Sequence, residues 1–531
     1  MSVSAEYINY ESTGFFNRIV NDYINGVAAL QPFYKYPVSI EGIKAAIEER
    51  KKYPTNKKLL VDVLIEQYKN ISLTEKQKAN LQQLNNSNTF TITTAHQPNI
   101  FTGPLYFIYK IVHAIKLADQ LQKELPENSF IPVYYIGSED ADLQELGHVY
   151  INDEKHEWKT EQAGAVGRMK VDKNLLQLIK KIEEEIAVQP FGTEIINLIK
   201  TCYIENTTIE QATFKLVNHL FGEYGLIVLL PDNSSLKKSF IPVIKKELTE
   251  QFSHKIVQQT AASFPAEYKV QAGGREINMF YLKDNSRERI EFADGEWKIV
   301  NTNLLFSKTE ILEELNNYPE RFSPNVILRP IFQEMILPNV AFIGGGSEIA
   351  YWLELKKNFE TISVPYPVMV VRNSFLIVEK RFSFLVSRMG FTCLDLFKSE
   401  MELVNELVKR ETNLQLNLSE EKKLVADFYE QLKNKSTAID STLLQHVEAL
   451  KIQALKKIDI LEKKMLRKEK KKYETQQQQI HKIKDKLFPH NSLQERIENF
   501  MPLYAKWGND FIKIIYESSR GLDQQFTILQ E

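Results

Sequence analysis

A turn between a predicted strand and a predicted helix carries side chains suited to binding an anion. In residues 93–116 (TTAHQPNIFTGPLYFIYKIVHAIK), Thr102 is placed to cap a helix, and Gly103 would let a ligand approach the backbone closely. The free N–H groups of a helix N-terminus favour an anion. Lys110 opposes the helix macrodipole there, which makes better sense if it and the helix end jointly hold a carboxylate or phosphate. Tyr106 shares the same predicted polar face, four residues from Lys110.

Two further candidates precede this turn, and an acidic loop follows the next predicted strand. We predict a catalytic role for His96 and a substrate-binding role for Gln97 at the end of the first strand. The next strand ends in GSEDADLQELGHV, which contains Glu139, Asp140 and Asp142. Clustered carboxylates suit Mg²⁺, an amine substrate or general base catalysis, and the pattern does not rank the three. We assign no metal ligand, because no set of residues elsewhere completes a zinc site.

Arginines and a glycine-rich turn form a third polar cluster, in residues 321–373. A glycine-rich turn from strand to helix can cradle an anion or admit a substrate, although three glycines alone are a weak signal. The guanidinium fork of arginine suits carboxylates. The residues that we predict to bind substrate in this cluster are Arg329, Glu334, Gly345, Glu348, Arg372 and Asn373.

All three clusters follow predicted strands of an α/β core. Short β-rich segments alternate with helical patterns up to about residue 385, which predicts a doubly wound, Rossmann-like parallel sheet. Open α/β sheets place their ligands at the carboxyl edge of the strands, where these clusters lie. The predicted strands are Thr89–Thr94, Phe130–Ile136, Leu226–Leu230, Val326–Leu328, Val340–Ile343 and Val368–Val371.

The remainder of the chain, residues 386–531, is predicted to be an α-helical coiled-coil domain. Residues 437–487 contain neither glycine nor proline and predict one helix about 75 Å long. A helix of that length needs a partner, which is either the preceding helix folded back or another subunit. We expect a homodimer through this segment. The basic stretch 456–472 is interleaved with acidic residues, which favours a solvated coiled-coil face over nucleic-acid binding.

Composition restricts the possible partners. The chain has 531 residues and a formal net charge of −2, so nothing indicates nucleic acid or an anionic membrane as a partner. Its two cysteines are too few for a disulfide framework or a cysteine-rich zinc site. The first residues lack the pattern of a signal peptide, and the apolar runs are too short to span a bilayer. We therefore expect a cytoplasmic protein.

Several segments together resemble the bacillithiol biosynthesis cysteine-adding enzymes, and the resemblance spans nearly the whole chain in order. It implies a Rossmann-like core with inserted connecting segments (roughly residues 160–320) in residues 1–385, and a C-terminal coiled-coil domain. It also implies a ligase that joins cysteine to glucosaminyl-malate in the last step of bacillithiol formation. The segments are FTGPLYFIYKIVHAIKLA, PVYYIGSEDADLQELGHV, INMFYL, RERIEF, RFSPNVILRPIFQEMILPNVAFIGG, EIAYWLELK and LFPHNSLQERIEN.

The implied reaction assigns expected roles to the clusters. ATP or another nucleotide, with or without Mg²⁺, would activate the carboxylate. Lys110 would neutralise negative charge on the activated group, the carboxylates of the acidic loop would hold an amine, and Arg329 or Arg372 would bind malate. Two departures stand out: the family often has Glu-Asp-His-Asp where this chain has Ala141 in third place, and no HxGH adenylation motif is present. The alternatives are a nucleotidylyltransferase-like or other carboxylate–amine ligase, and a non-enzymatic coiled-coil scaffold.

Overall fold

The computed structural model describes residues 3–283, 285–412, 414 and 416–531. The chain divides into two compact units. The first contains Val3–Leu376 and Ser492–Leu529, and the second contains Ile377–Asn491 with Gln530–Glu531. The division falls at residue 376 rather than near 385, and the segment 492–529 belongs to the first unit.

The described residues form strands in both the core and its insertions. In chain order they are β1 (Ser4–Ile8), β2 (Thr89–His96), β3 (Ser129–Ile136), β4 (His148–Ile151), β5 (Glu154–Glu157), β6 (Ile227–Leu229), β7 (Met279–Lys283), β8 (Ser286–Ala293), β9 (Glu296–Ile299), β10 (Leu305–Phe306), β11 (Phe322–Pro324), β12 (Asn339–Gly344), β13 (Val368–Val371), β14 (Ser374–Val378) and β15 (Phe526–Gln530).

Twelve α-helices lie among the described residues of the first three hundred. They are α1 (Arg18–Ile24), α2 (Ile40–Arg50), α3 (Lys57–Gln67), α4 (Glu75–Gln83), α5 (Tyr106–Glu124), α6 (Leu143–Leu146), α7 (Lys173–Ile186), α8 (Gly192–Cys202), α9 (Ile209–Phe221), α10 (Ser234–Lys238), α11 (Ile241–Glu250) and α12 (Phe252–Ser263). Of these, α2, α4, α5 and α9 contact strands of the central sheet.

The later helices include those of the second unit. They are α13 (Lys308–Asn317), α14 (Arg329–Ile336), α15 (Gly346–Leu353), α16 (Lys356–Ile362), α17 (Lys380–Arg388), α18 (Glu400–Glu411), α19 (Ser419–Thr437), α20 (Leu443–Lys470), α21 (Glu474–Leu487), α22 (Gln494–Ile497), α23 (Met501–Trp507) and α24 (Asp510–Ser518).

The central sheet has five parallel strands in the order β13-β12-β2-β3-β6. Side chains on both faces of β2 are buried, as expected of a parallel strand covered by helices on each side. On one face, Phe90 and Ile92 of β2 pack in a core with residues of α2 and α5, among them Ile43 and Leu117. The predicted Rossmann-like sheet is confirmed.

Five of the six predicted strands are confirmed, as β2, β3, β6, β12 and β13. The prediction of a strand at Val326–Leu328 is wrong, because these residues form the turn that enters α14. The Asn325 side chain accepts a hydrogen bond from the Ile327 backbone N–H at 2.9 Å, and Pro330 stands in the first turn of the helix. Both features favour a helix start over a strand.

The second unit contains a helical hairpin instead of one fifty-residue helix. The predicted helix 437–487 is divided into α20 and α21 by a short 3₁₀ turn, Lys471–Tyr473. Helix α19 folds back along α20, which was one of the two arrangements that the sequence left open. Ion pairs join Lys422 to Glu462 at 2.5 Å and Lys433 to Glu448 at 3.4 Å. The later residue of α19 pairs with the earlier residue of α20, so the two helices run antiparallel.

Candidate functional site

A cavity of about 620 Å³ lies at the carboxyl ends of β2, β3, β12 and β13. Parallel strands all end at the same edge of a sheet, so residues that follow different strands meet there. The cavity also receives residues from β8, α14 and α22. It brings together nine of the predicted site residues: His96, Gln97, Tyr106, Glu139, Asp140, Arg329, Gly345, Glu348 and Arg372.

Three arginines that line the cavity have no carboxylate partner among the residues that the structure describes. Arg329 donates to the Tyr351 hydroxyl at 3.3 Å, and Arg287 donates to the Ser323 hydroxyl at 3.3 Å. Arg496 donates to a backbone carbonyl at 3.0 Å. Burial lowers the pKa of Arg287 and of Arg496. Nearby carboxylates act on these groups only from beyond ion-pair distance: Glu139 and Asp140 on Arg287, Glu348 on Arg329 and Glu495 on Arg496. Buried guanidinium groups without a direct ion pair favour an anionic ligand.

A fourth arginine, Arg372, is held in place by a buried carboxylate. Its Nη2 atom lies 2.7 Å from Glu495 Oε1, and the other Glu495 oxygen accepts the Phe375 backbone N–H at 3.1 Å. The Arg372 guanidinium lies 5.1 Å from the centre of the Tyr106 ring, which places Tyr106 against the cation. The sequence prediction missed Glu495 and Arg496. The motif that contains them, LFPHNSLQERIEN, was noticed only as part of the family resemblance.

The acidic loop after β3 separates into three different environments. Glu139 forms a buried ion pair with Lys237, which itself donates to the Phe322 carbonyl at 2.8 Å. Burial raises the pKa of Glu139, and Lys237 opposes that shift. Asp140 lines the cavity without an ion pair to any described residue, and it accepts hydrogen bonds from Gln97 Nε2 and the Asp142 N–H, each at 3.2 Å. Of the loop carboxylates, Asp140 is therefore the better placed to accept a proton.

Asp142 does not line the cavity, so the geometry corrects its expected catalytic position. Its side chain accepts the Glu145 backbone N–H at 3.0 Å and caps the short helix α6. Glu145 itself does line the cavity, and burial raises its pKa, with the neighbouring Asp140 and Asp142 charges adding to the shift. A catalytic role was predicted for Asp142 because it lies in the same loop as Glu139 and Asp140. Position in a loop does not determine the direction of a side chain.

A buried carboxyl group beneath the loop was also missed. Burial, followed by the charge of Asp232, raises the pKa of Glu210 to about 8. Asp232 is itself paired with Arg168, with an Nε–Oδ2 distance of 2.7 Å. Glu210 lies in the first turn of α9, far along the chain from the acidic loop, and no local pattern points to it. With this pKa the Glu210 carboxyl is largely protonated at neutral pH, and it lies close to Ser138 and Glu139.

His96 presents an unpartnered nitrogen beside the cavity. Its Nε2 atom is buried and has no hydrogen-bond partner among the described residues. Burial, followed by the positive charges of Lys110 and Arg372, holds the pKa of His96 well below its usual value. The imidazole is therefore neutral at pH 7 and can form a hydrogen bond with a ligand.

The expected position of Lys110 on an exposed helix face is wrong, because Lys110 is only 2% exposed. Its Nζ donates to the Ala95 carbonyl and to Glu348 Oε2, each at 2.5 Å. Glu348 lines the cavity and also accepts the Gly345 N–H at 2.8 Å. Burial lowers the pKa of Lys110, and Glu348 opposes that shift. Lys110 thus holds Glu348 in position and does not line the cavity.

The turn before α5 is closed by the chain itself, which corrects the anion site expected at Thr102 and Gly103. Helix α5 begins at Tyr106, so Thr102 is not its N-cap. Asn499 Nδ2 donates to the Gly103 carbonyl at 2.5 Å, and the Leu105 N–H donates to a carbonyl of the same segment at 2.8 Å. Gly103 has φ +67°, and a Cβ there would lie 2.8 Å from Asn99 Cβ. The glycine is needed for this close packing, and neither Thr102 nor Gly103 lines the cavity.

Glu334 and Asn373 are also structural in their contacts. Glu334 pairs with Arg50 at 2.7 Å, and both side chains are fully buried. Asn373 Oδ1 accepts the Ser519 hydroxyl at 2.5 Å and the Arg520 N–H at 3.1 Å. Neither residue lines the cavity, which corrects their expected substrate contacts.

Among the described residues, no helix combines the length and apolar character needed to cross a membrane.

Comparison with known proteins gives full-length matches. Residues 3–373 match the family model "Bacillithiol biosynthesis BshC, N-terminal Rossmann-like domain", and residues 375–531 match "Bacillithiol biosynthesis BshC, C-terminal coiled-coil domain". A protein of Flavobacterium psychrophilum named "Putative cysteine ligase BshC" is 39% identical, covering 98% of this chain and 99% of that protein. Proteins of the same name from Flavobacterium johnsoniae and Christiangramia forsetii are each 36% identical, covering 98% of this chain and 99% and 98% of theirs.

Proposed function

Because this chain belongs to the bacillithiol biosynthesis BshC family, we propose that it is a carbon–nitrogen ligase that adds L-cysteine to glucosaminyl-malate. Bacillithiol is the product, and this addition is the last step of its formation. The family membership and the names of the relatives support a cysteine ligase. The cavity at the carboxyl edge of the sheet is the place where we propose that the reaction occurs.

The observation that carries this assignment is the set of three cavity arginines without a carboxylate partner, Arg287, Arg329 and Arg496. Glucosaminyl-malate brings two carboxylates from malate, and cysteine brings one more. A guanidinium group binds a carboxylate through two parallel hydrogen bonds, and the bond is strong where water is excluded. Three such groups in one cavity match the negative charge of the two substrates together.

The acidic side of the same cavity supports the other half of the reaction. The amine of glucosaminyl-malate must lose a proton to attack the cysteine carboxyl carbon. We assign that proton to Asp140, which lines the cavity and forms no ion pair with a described residue, whereas Glu139 is neutralised by Lys237. The neutral His96 would accept a hydrogen bond from the attacking amine or the cysteine ammonium. Lys110 acts through Glu348 as a positioning residue.

Amide formation in water needs an activated carboxylate. A nucleoside triphosphate would supply the activation by turning the carboxylate oxygen into part of a phosphate leaving group. ATP or another nucleotide, with or without Mg²⁺, is therefore the co-substrate that we expect. A thermal-shift series with ATP, cysteine and glucosaminyl-malate identifies the ligands, because each ligand that binds only the folded chain raises its melting temperature.

We further propose that the chain is a homodimer and that it acts in the cytoplasm. Leu424, Phe428 and Leu432 follow one another at intervals of four on α19 and are 70%, 55% and 37% exposed. They point away from the side of α19 that carries Lys422 and Lys433 toward α20. An exposed apolar stripe of this kind fits a second copy of the same hairpin. The sequence contains only two cysteines, Cys202 and Cys393, which fits a protein of a reducing compartment.

Mass spectrometry of the thiol pool in a deletion strain tests the proposed function. We expect loss of bacillithiol and accumulation of glucosaminyl-malate, with both reversed by the wild-type gene and not by an Asp140→Asn variant. An unchanged thiol pool would rule out the ligase. In that case accumulation of a different carboxylate or amine would identify another carboxylate–amine ligase, and no metabolic change would favour the scaffold.

A further inference from the structure

Three potential metal ligands converge outside the cavity, where the β4–β5 hairpin meets α7. They are Glu154 and His156 of β5 and Glu185 of α7, and their ligand atoms all lie within 4.8 Å of one another. The proposed ligase reaction uses none of the three. Their convergence is independent of the cavity residues.

Local structure explains why these side chains share one direction. Residues two apart in a strand point to the same face, so Glu154 and His156 project together from β5. The hairpin turn at Asn152 and Asp153 has φ values of +49° and +71°, which reverses the chain tightly and sets Val149 opposite His156. Glu185 stands in the last turn of α7, next to its buried residue Ile186.

The buried histidine has one close polar neighbour, Glu185, and its geometry toward that carboxylate is not that of a hydrogen bond. His156 is 1% exposed, and neither ring nitrogen forms a hydrogen bond with acceptable geometry among the described residues. Its Nε2 atom does lie 3.1 Å from Glu185 Oε1, so the nitrogen faces the carboxylate cluster. A buried polar group without a hydrogen bond destabilises the folded chain, and a coordination bond to a metal would remove that cost.

We propose that Glu154, His156 and Glu185 bind one divalent transition-metal ion of the Zn²⁺ class, which fastens the β4–β5 hairpin to α7. One imidazole nitrogen and two carboxylate oxygens are ligands that Zn²⁺ accepts, with water completing a tetrahedral site. Ca²⁺ and Mg²⁺ instead prefer oxygen-only sites with more ligands. Lys181 forms an ion pair with Glu154 and competes with the metal for that carboxylate.

Equilibrium dialysis of the full chain against Zn²⁺, followed by elemental analysis, tests the site. We expect one Zn²⁺ per wild-type chain, and an affinity about tenfold weaker or worse after Glu154→Gln or Glu185→Gln. Lys181→Met should tighten binding, because it removes the competing cation. Glu157→Gln is the matched control, since Glu157 lies on the same strand, is exposed and points to the opposite face. Circular dichroism confirms that each variant is folded.

Co²⁺ in place of Zn²⁺ distinguishes this site from binding by the cysteines. Coordination by nitrogen and oxygen gives visible absorption without the near-ultraviolet charge-transfer band of a thiolate. We expect that spectrum for the wild type and its loss in Glu185→Gln. Equal Zn²⁺ uptake by the wild type and Glu185→Gln would overturn the proposal, and so would a thiolate band that disappears in a Cys202→Ala, Cys393→Ala variant.

Discussion

The Lys110 ammonium group donates 2.5 Å hydrogen bonds to the Ala95 carbonyl and to Glu348, in a place that is 2% exposed. Replacing it by methionine keeps most of the volume and leaves both acceptors without their donor. We expect Lys110→Met to lower the unfolding free energy by about 1–3 kcal/mol, and to lower turnover because Glu348 loses its position. Urea denaturation measures the first effect. Lys123→Met, at an exposed site on the same helix, is the control and should change little.

Asp140 and Asp142 provide a matched pair that separates chemistry from structure. Asp140→Asn removes the proposed base, so turnover should fall by a factor on the order of 10²–10⁴ while the melting temperature is kept. Asp142→Asn keeps the helix cap, because asparagine caps as well as aspartate, and should retain most turnover. Steady-state kinetics of product formation decides between them. Equal loss of turnover in both variants would show that Asp140 is not the specific base.

The raised pKa of Glu210 predicts a pH dependence of stability. Its folded-state pKa is about 8 against an ordinary value of 4.5, so between these pH values the folded chain retains a proton that the unfolded chain releases. This contribution to the unfolding free energy is therefore complete below pH 4.5 and is lost as the pH rises through about 8.

Glu210→Gln should abolish this decrease of the unfolding free energy with rising pH. We expect the variant to be more stable than the wild type at pH 8 by on the order of 1–3 kcal/mol, with the difference shrinking toward pH 4.5. Denaturation at several pH values checks it, with the exposed Glu205→Gln as control. A difference that stays constant across the pH range would show that Glu210 does not hold the proton.

At the scale of single residues, the sequence predicted which side chains lie at the cavity where they directly follow a strand of the sheet. His96, Asp140 and Arg372 were expected at the carboxyl edge, and they do line the cavity. Arg329 lines it as well, but it does so from the first residue of α14, because the strand predicted before it is not formed. Contacts made by distant parts of the chain were not predictable. Lys110 appeared to lie on an exposed helix face because helical spacing cannot show that Glu348 packs against it.

At the scale of elements, periodicity identified the sheet strands but not the break between α20 and α21. Residues 437–487 contain no glycine or proline that would indicate a break in the helix. The break is instead stabilised by contacts of side chains: Gln477 Nε2 donates to the Lys470 carbonyl at 2.6 Å, and Lys472 pairs with Glu469 at 2.7 Å. Such contacts depend on the folded geometry and leave no pattern in hydrophobicity.

The apolar stripe of α19 allows a direct test of the proposed dimer. Leu424→Glu with Phe428→Glu places charge in the stripe and should shift the chain from dimer to monomer in sedimentation velocity. The hairpin itself should stay helical, because these side chains point away from α20. Leu450 and Leu461 on α20 are 39% and 51% exposed, and their replacement by Glu tests whether the interface includes α20.

Lys423→Glu is the control for this experiment. It changes the charge of α19 by as much as the two stripe substitutions together, at an exposed site about a quarter turn from the stripe, and should leave the dimer intact. A monomeric wild type, or a dimer that survives the stripe substitutions and the α20 substitutions alike, would contradict the dimer proposal.

At the scale of the whole molecule, the chain returns to its first unit after the helical hairpin. Residues 492–529 pack with Val3–Leu376 and contribute Arg496 to the cavity. Glu495 of the same segment holds Arg372 across a separation of 123 positions. A prediction that proceeds along the chain assigns these residues to the helical part by proximity, and only the folded structure shows that they complete the site.

We propose that the arginine-lined cavity binds glucosaminyl-malate through the carboxylates of the substrate. Isothermal titration of glucosaminyl-malate into the wild type and into Arg329→Met tests it most directly, with Arg289→Met as the control because Arg289 pairs with Glu291 outside the cavity. Hydrogen bonds to charged groups contribute about 1.5–3 kcal/mol, so Arg329→Met should bind roughly 10- to 100-fold more weakly than the wild type and the control. Equal affinity of Arg329→Met and the wild type, with both proteins folded, would contradict the claim.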